Sequence, residues 1–330
     1  MANILIFGAG AMGTAFSFPC SDKNHSVSIV GTYLEDDFID KINDEKIHPT
    51  LKCAVAKNVK FFKFEKLAQK ISENIDLIVV AVSSKGVEWV SKELSKVLKS
   101  NIPILILTKG LGINNNDYEI PAHKLERILK KNGVKDTNIL AAGGPCIAVN
   151  LVNKVHTSVV FANSNIKIAN QIAELVSTDY YHVFTSDDVV GVEICSAIKN
   201  IFAMVIGSSK ELNASASLFQ QSINEMIIFT EKLKGKKETV IGLAGVGDLY
   251  VSVKGGRNSK LGQYLGEGMT FKEAKKTKMP NETIEGADLA LTIGNKFKND
   301  FDKNQLPLMN SMINAICDEK PLIINWNFFK

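Results

Sequence analysis

The stretch "NILIFGAGAMG", residues 3–13, decides the fold. A short apolar run, Ile4 to Phe7, ends at Gly8, and two further glycines follow at 10 and 13 among helix-forming residues. This spacing predicts a strand, a tight turn and the start of a helix. The first glycine permits the turn, the second lets the backbone approach a pyrophosphate, and the third lets helix and strand pack closely. Amides at the helix N-terminus, those of Ala11, Met12 and Gly13, then face the phosphates.

The pattern continues outward from that unit. Apolar, β-rich runs recur at 25–31, 76–82, 103–108, 138–144, 157–162 and 180–186, with helical stretches between them. Continuous apolar strands are those covered on both faces, so the expectation is a mostly parallel, doubly wound sheet with crossover helices. After Ser186 the texture changes, and helical spacing takes over at 188–211, 215–234, 285–298 and 307–318. The chain therefore reads as α/β, an N-terminal Rossmann-type domain over 1–186 followed by an all-helical domain over 187–330. A crevice between two domains is the default place for a ligand. Pro19 in the first helix should kink it or end it early.

Composition narrows the class. At 330 residues the chain exceeds the roughly 250–300 at which single cores stop growing. A net charge of +4 with scattered lysines leaves no nucleic-acid arm. The five cysteines are odd in number and widely spaced, with no CxxC pair, which suits reduced thiols in the cytoplasm. Neither they nor the histidines form a metal pattern, and His48 and His25 read as structural. The N-terminus lacks a basic, cleavable leader, and no run approaches 18 consecutive apolar residues, so no membrane insertion is expected. A homodimer is the base-rate expectation.

The dinucleotide reading raises the question of which cofactor. An NAD site carries an acid near the end of the second strand to accept from the ribose hydroxyls. Here Gly31, Thr32 and Tyr33 stand at that point and Glu35 comes slightly late. That spacing leans the choice slightly toward NADP, although no arginine waits there for a 2′-phosphate. The cofactor is accordingly read as NAD(P)H.

Four more segments stand out together: "LTKGLG" with Lys109 after a strand, "GGPCIA" (143–148), "GVEICSAIKN" (191–200) and "GLAGVGDLYVSVKGGRN" (242–258). In order and spacing they resemble the NAD(P)-dependent sn-glycerol-3-phosphate dehydrogenases, from Gly8 to about Glu285. Met12, Cys146, Asn150 and Gly256 depart from that family's usual tryptophan, serine, glutamate and serine.

Lys199 is a lone ammonium in an apolar helical stretch, and a buried lysine near other cations can work as a base near neutral pH. The resemblance implies that it is the proton acceptor and donor, with Lys109 and Asp248 beside it. It further implies substrate contacts from Lys109, Gly144, Cys146, Asn200, Asp248, Gly256, Arg257 and Asn258. Cofactor contacts would come from Gly8, Gly10, Ala11, Met12, Gly13, Thr32, Lys109, Ala148, Arg257 and Glu285. An arginine and an asparagine next to glycines suit a bidentate grip on phosphate. The implied reaction interconverts dihydroxyacetone phosphate and sn-glycerol 3-phosphate, supplying glycerophospholipid synthesis. The alternatives are a related dehydrogenase of another small anionic hydroxy acid, and a nucleotide-sensing protein that has lost catalysis.

Overall fold

A computed structural model describes residues 1–98 and 101–329. The strands, in chain order, are β1 (Asn3–Phe7), β2 (Ser26–Val30), β3 (Ile47–His48), β4 (Cys53–Ala54), β5 (Val59–Phe62), β6 (Leu77–Val80), β7 (Ile104–Ile106), β8 (Gly112–Asn114), β9 (Asp117–Glu119), β10 (Ile139–Gly143), β11 (Thr157–Ala162) and β12 (Tyr181–Ser186). The helices are α1 (Ala11–Asp22), α2 (Asp36–Glu45), α3 (Leu67–Ser72), α4 (Val87–Val97), α5 (Pro121–Lys131), α6 (Ala148–Val152), α7 (Ile166–Val176), α8 (Val189–Gly207), α9 (Leu212–Lys232), α10 (Lys237–Ile241), α11 (Asp248–Val253), α12 (Arg257–Gly266), α13 (Phe271–Thr277), α14 (Glu285–Asp300) and α15 (Pro307–Cys317).

Eight strands form one sheet in the order β12-β11-β10-β7-β6-β1-β2-β5. All neighbours run parallel except β10 and β11. The reason lies in the strand sequences: all four residues of β6 and Ile4 to Phe7 of β1 are buried, as a sheet covered on both faces requires. Phe16 of α1 packs on Phe161 and meets Tyr181 edge-on, fastening the first helix to the far strands. Helix α1 continues past Pro19 to Asp22, so the proline sits in its last turn rather than ending it.

The chain divides into two compact units, Met1–Lys109 with Pro121–Val189, and Gly110–Ile120 with Val190–Lys330. The hairpin β8–β9 therefore belongs to the helical unit, where Tyr118 meets Phe229 edge-on and β8 lies on α14. Its two central residues, Asn115 and Asn116, both take positive φ, which is the turn that matches strand twist and that asparagine tolerates.

In the helical unit, α8 is the core. It is long and apolar enough to cross a membrane by length and composition, yet most of it is buried within the protein. A Cβ at Gly262 would lie 1.9 Å from the Met204 carbonyl oxygen, and one at Gly266 would lie 2.0 Å from that of Ser208. Glycine at those two α12 positions lets α12 press directly on the backbone of α8 and of Ser208, the residue that follows it. On α9, Glu225 is fully buried and accepts the Leu308 and Met309 N–H groups at 2.8 and 2.9 Å, capping α15.

Candidate active site

The sheet unit supplies main-chain groups. Gly8 has φ +112°, and a Cβ there would stand 2.7 Å from the Ala81 carbonyl oxygen. A Cβ at Gly13 would stand 2.3 Å from the Gly8 oxygen. Both glycines are thus needed by the protein itself. Gly10 is different: a Cβ would meet nothing within 4 Å, so packing does not require glycine at the N-cap of α1. The Ala11, Met12 and Gly13 amides that follow it at the start of the helix have no intrahelical acceptor. This is the cradle that a dinucleotide pyrophosphate needs, and the residues fit the group.

The ends of the neighbouring strands are fixed around that loop. The Glu35 carboxylate accepts the Thr32 N–H at 2.7 Å and the Ala9 N–H at 3.3 Å, so an acid late in sequence returns to the end of β2. His48 takes the Leu51 N–H on Nδ1 at 3.0 Å and donates from Nε2 to the Ala9 carbonyl at 3.1 Å. Burial pushes its imidazole below the ordinary range, against the pull of the Ala9 bond and the Glu35 charge. Thr108 donates to the Val82 carbonyl at 2.6 Å, and Lys109 next to it donates to Gly144 at 3.2 Å. Gly144, at φ +105°, turns the chain from β10 toward α6. Cys146 and Ala148 pack against the sheet core, an apolar setting that suits a thiol in place of the family's serine.

The helical unit supplies side chains. Lys199 in the middle of α8 is 7% exposed and Asp248 is 2% exposed, and the two form an ion pair. A π-type turn over Leu243–Gly247 delivers Asp248 to the first position of α11, where the helix dipole favours an acid. Its carboxylate serves Lys199 across 49 residues of sequence. A buried pair of this kind is costly to desolvate, and it persists only when each charge has its partner.

Asn200, the next residue of α8, accepts from Asn258 Nδ2 at 2.9 Å, and Asn258 Oδ1 accepts the Gly286 N–H at 2.8 Å. Asn258 thereby joins α8, α12 and α14. Arg257 opens α12 and pairs with Glu285, which opens α14; both side chains are about half exposed. Gly256 is the N-cap of α12, where a serine would have capped with its hydroxyl and glycine costs only a few tenths of a kcal/mol.

The residues singled out in the sequence thus gather into two groups. Gly8 to Gly13, Thr32, Lys109, Gly144, Cys146 and Ala148 frame the strand ends of the sheet unit. Lys199, Asn200, Asp248, Gly256, Arg257, Asn258 and Glu285 lie on α8, α11, α12 and α14. Sequence reading missed the pairing of Arg257 with Glu285 and the contact of α12 with α8. The signal for the latter was the four-residue spacing of Gly262 and Gly266.

Two family profiles, described as NAD-dependent glycerol-3-phosphate dehydrogenase N-terminus and C-terminus, match residues 3–169 and 188–324. The chain is 34% identical over 283 residues to the NADP(+)-dependent glycerol-3-phosphate dehydrogenase of Archaeoglobus fulgidus, covering 82% of each chain. It is 31% identical over 307 residues to the NAD(P)+ glycerol-3-phosphate dehydrogenase of Francisella tularensis subsp. mediasiatica, covering 90% of this chain and 88% of the relative. The crystal structure of glycerol-3-phosphate dehydrogenase from Coxiella burnetii superposes with a TM-score of 0.81 at 25% identity, covering 97% of this chain and 96% of that one.

Proposed function

Because the chain belongs to the NAD-dependent glycerol-3-phosphate dehydrogenase family, we infer that it interconverts dihydroxyacetone phosphate and sn-glycerol 3-phosphate with a nicotinamide dinucleotide. The observation that carries the residue roles is the buried Lys199–Asp248 pair.

A reduced nicotinamide, when bound, supplies the hydride for the substrate carbonyl carbon. The protein supplies the proton. In reduction Lys199 donates from Nζ to the developing alkoxide oxygen, and in oxidation it takes the hydroxyl proton back. Asp248 holds Nζ in place and balances its charge while it is protonated. Asn200 and Asn258 fix the segment of α8 that carries Lys199 and share in binding the substrate. Arg257, with amides at the start of α12 beside Gly256, grips the substrate phosphate, and Glu285 holds the guanidinium in orientation. Gly8, Gly10, Ala11, Met12 and Gly13 hold the pyrophosphate with main-chain amides. Thr32, Lys109, Gly144, Cys146 and Ala148 line the strand ends beside it.

Five cysteines outside any disulfide, two of them buried, suit the reducing cytoplasm. There the product supplies glycerophospholipid synthesis, from a homodimer.

The test is the purified protein with dihydroxyacetone phosphate and NADH or NADPH, following loss of the reduced nicotinamide. Oxidation that depends on the ketone phosphate is the expected result. No oxidation with either nucleotide overturns the reading.

A further inference from the structure

We propose that Glu35 makes this enzyme select NAD(H) over NADP(H). The inference rests on the dehydrogenase reading above, and it reverses the slight lean to NADP drawn from sequence spacing.

After β2 the chain does not run on straight. The Glu35 N–H donates to the Thr32 carbonyl at 3.0 Å, closing a turn that brings the side chain back toward the end of β1. Oε2 then takes the N–H groups of Thr32 and of Ala9, the residue between the first two glycines of the loop. Both bonds fall on Oε2, which leaves Oε1 to accept from a ribose hydroxyl. In this fold the carboxyl ends of β1 and β2 are where the adenine ribose arrives.

The carboxylate is held there by more than its own bonds. His48 fixes the opposite side of the same loop by donating to the Ala9 carbonyl, so the Ala9 residue is gripped at its N–H and its C=O. Gly31 makes the return possible, because a Cβ there would come within 2.6 Å of Ile39 Cδ1 and 3.3 Å of Glu35 Cβ.

The surrounding charge favours a neutral diol. Asp36 and Asp37 follow in the first turn of α2. Asp40 on the next turn is bridged to Lys63 at 2.7 Å, so that lysine is already committed. The chain has only two arginines, Arg127 and Arg257, and neither lies in the segment after β2. A 2′-phosphate placed beside Glu35 would meet a fixed negative charge, whereas ribose hydroxyls donate to it.

The test measures the dissociation constants of NADH and NADPH by nicotinamide fluorescence, with ADP-ribose and 2′-phospho-ADP-ribose as competitors, on the wild-type protein. NADH and ADP-ribose should bind at least about 10-fold more tightly than their 2′-phosphorylated counterparts, the scale of a charge-assisted hydrogen bond. Glu35→Gln keeps an oxygen for the Ala9 and Thr32 N–H groups but removes the charge, and should narrow the ratio by roughly 10-fold, mainly by tightening NADPH. Wild-type protein that binds NADPH as tightly as NADH, while oxidising either with dihydroxyacetone phosphate, overturns the role of Glu35 and leaves the enzymatic reading standing. A ratio unchanged in a folded Glu35→Gln variant also overturns it. Failure to bind either nucleotide overturns both.

Discussion

In the sheet unit, the candidate site is built mostly of main-chain amides kept open by glycines, with the Glu35 carboxylate beside them. In the helical unit it is built of charged and polar side chains in pairs, the Lys199–Asp248 pair buried and the Arg257–Glu285 pair half exposed. Gly8 and Gly13 matter because a Cβ there collides with the protein's own backbone, and Gly10 because its surroundings are open. Lys199 and Asp248 matter because each holds a charge that the other makes tolerable. Substitutions should therefore damage the first unit by adding atoms and the second by removing them. A buried pair is also distinct from an exposed one: Arg257 and Glu285 are wet enough to be worth under about 1 kcal/mol to folding, so their value lies in orientation.

The largest effect is expected at Lys199. Lys199→Met should lower turnover by about 10²–10⁴-fold, the usual contribution of a positioned proton donor, with NADH affinity kept. It should also cost roughly 3–5 kcal/mol of stability, because Asp248 loses its ammonium. The double variant Lys199→Met with Asp248→Leu should regain much of that stability in thermal melts without regaining turnover. Wild-type rates in the single variant would break the contrast between the units.

Glu225 extends the contrast to pH. Burial pushes its carboxyl up to about 7, against the Met309 and Leu308 N–H bonds and Gln221, which favour the ionised form. The folded state keeps a proton there that the unfolded chain has already released, so stability falls as pH rises from the ordinary carboxylate range to about 7. Below that range both states are protonated and the contribution is complete; above about 7 it is gone. The swing should be roughly 3 kcal/mol at most, and Glu225→Gln should flatten it in denaturant midpoints measured from pH 4.5 to 8.

The smallest effect on folding separates two glycines three residues apart. Gly13→Ala should destabilise the sheet unit by about 1–3 kcal/mol through overpacking against the Gly8 carbonyl. Gly10→Ala should melt like wild type yet lose dinucleotide affinity in a binding titration. If Gly10→Ala binds normally, the open N-cap is not where the pyrophosphate lies.

Most of the sheet was readable because parallel strands are uniformly apolar and the glycine spacing is a local steric requirement. Strand β5 escaped, since Lys60 and Lys63 break the apolar run of an edge strand. The hairpin β8–β9 escaped because its strands are only three residues each, although the Asn115–Asn116 pair carried the turn.

By itself the sequence determined what depends on neighbours along the chain: the strand, turn and helix of residues 3–22, the apolar strands, the long core helix around Lys199, and the identity of the charged residues. Tertiary structure decided what depends on residues far apart in sequence. It returned Glu35 across 26 residues to the Ala9 amide, joined Arg257 to Glu285 across 28, and joined Lys199 to Asp248 across 49. Periodicity and turn chemistry act over a few residues, whereas a counter-ion is chosen by which helices pack together. The same holds for the uncharged contacts: two glycines let α12 approach the backbone at and just after the C-terminal part of α8, and Asn258 of α12 meets Asn200 of α8.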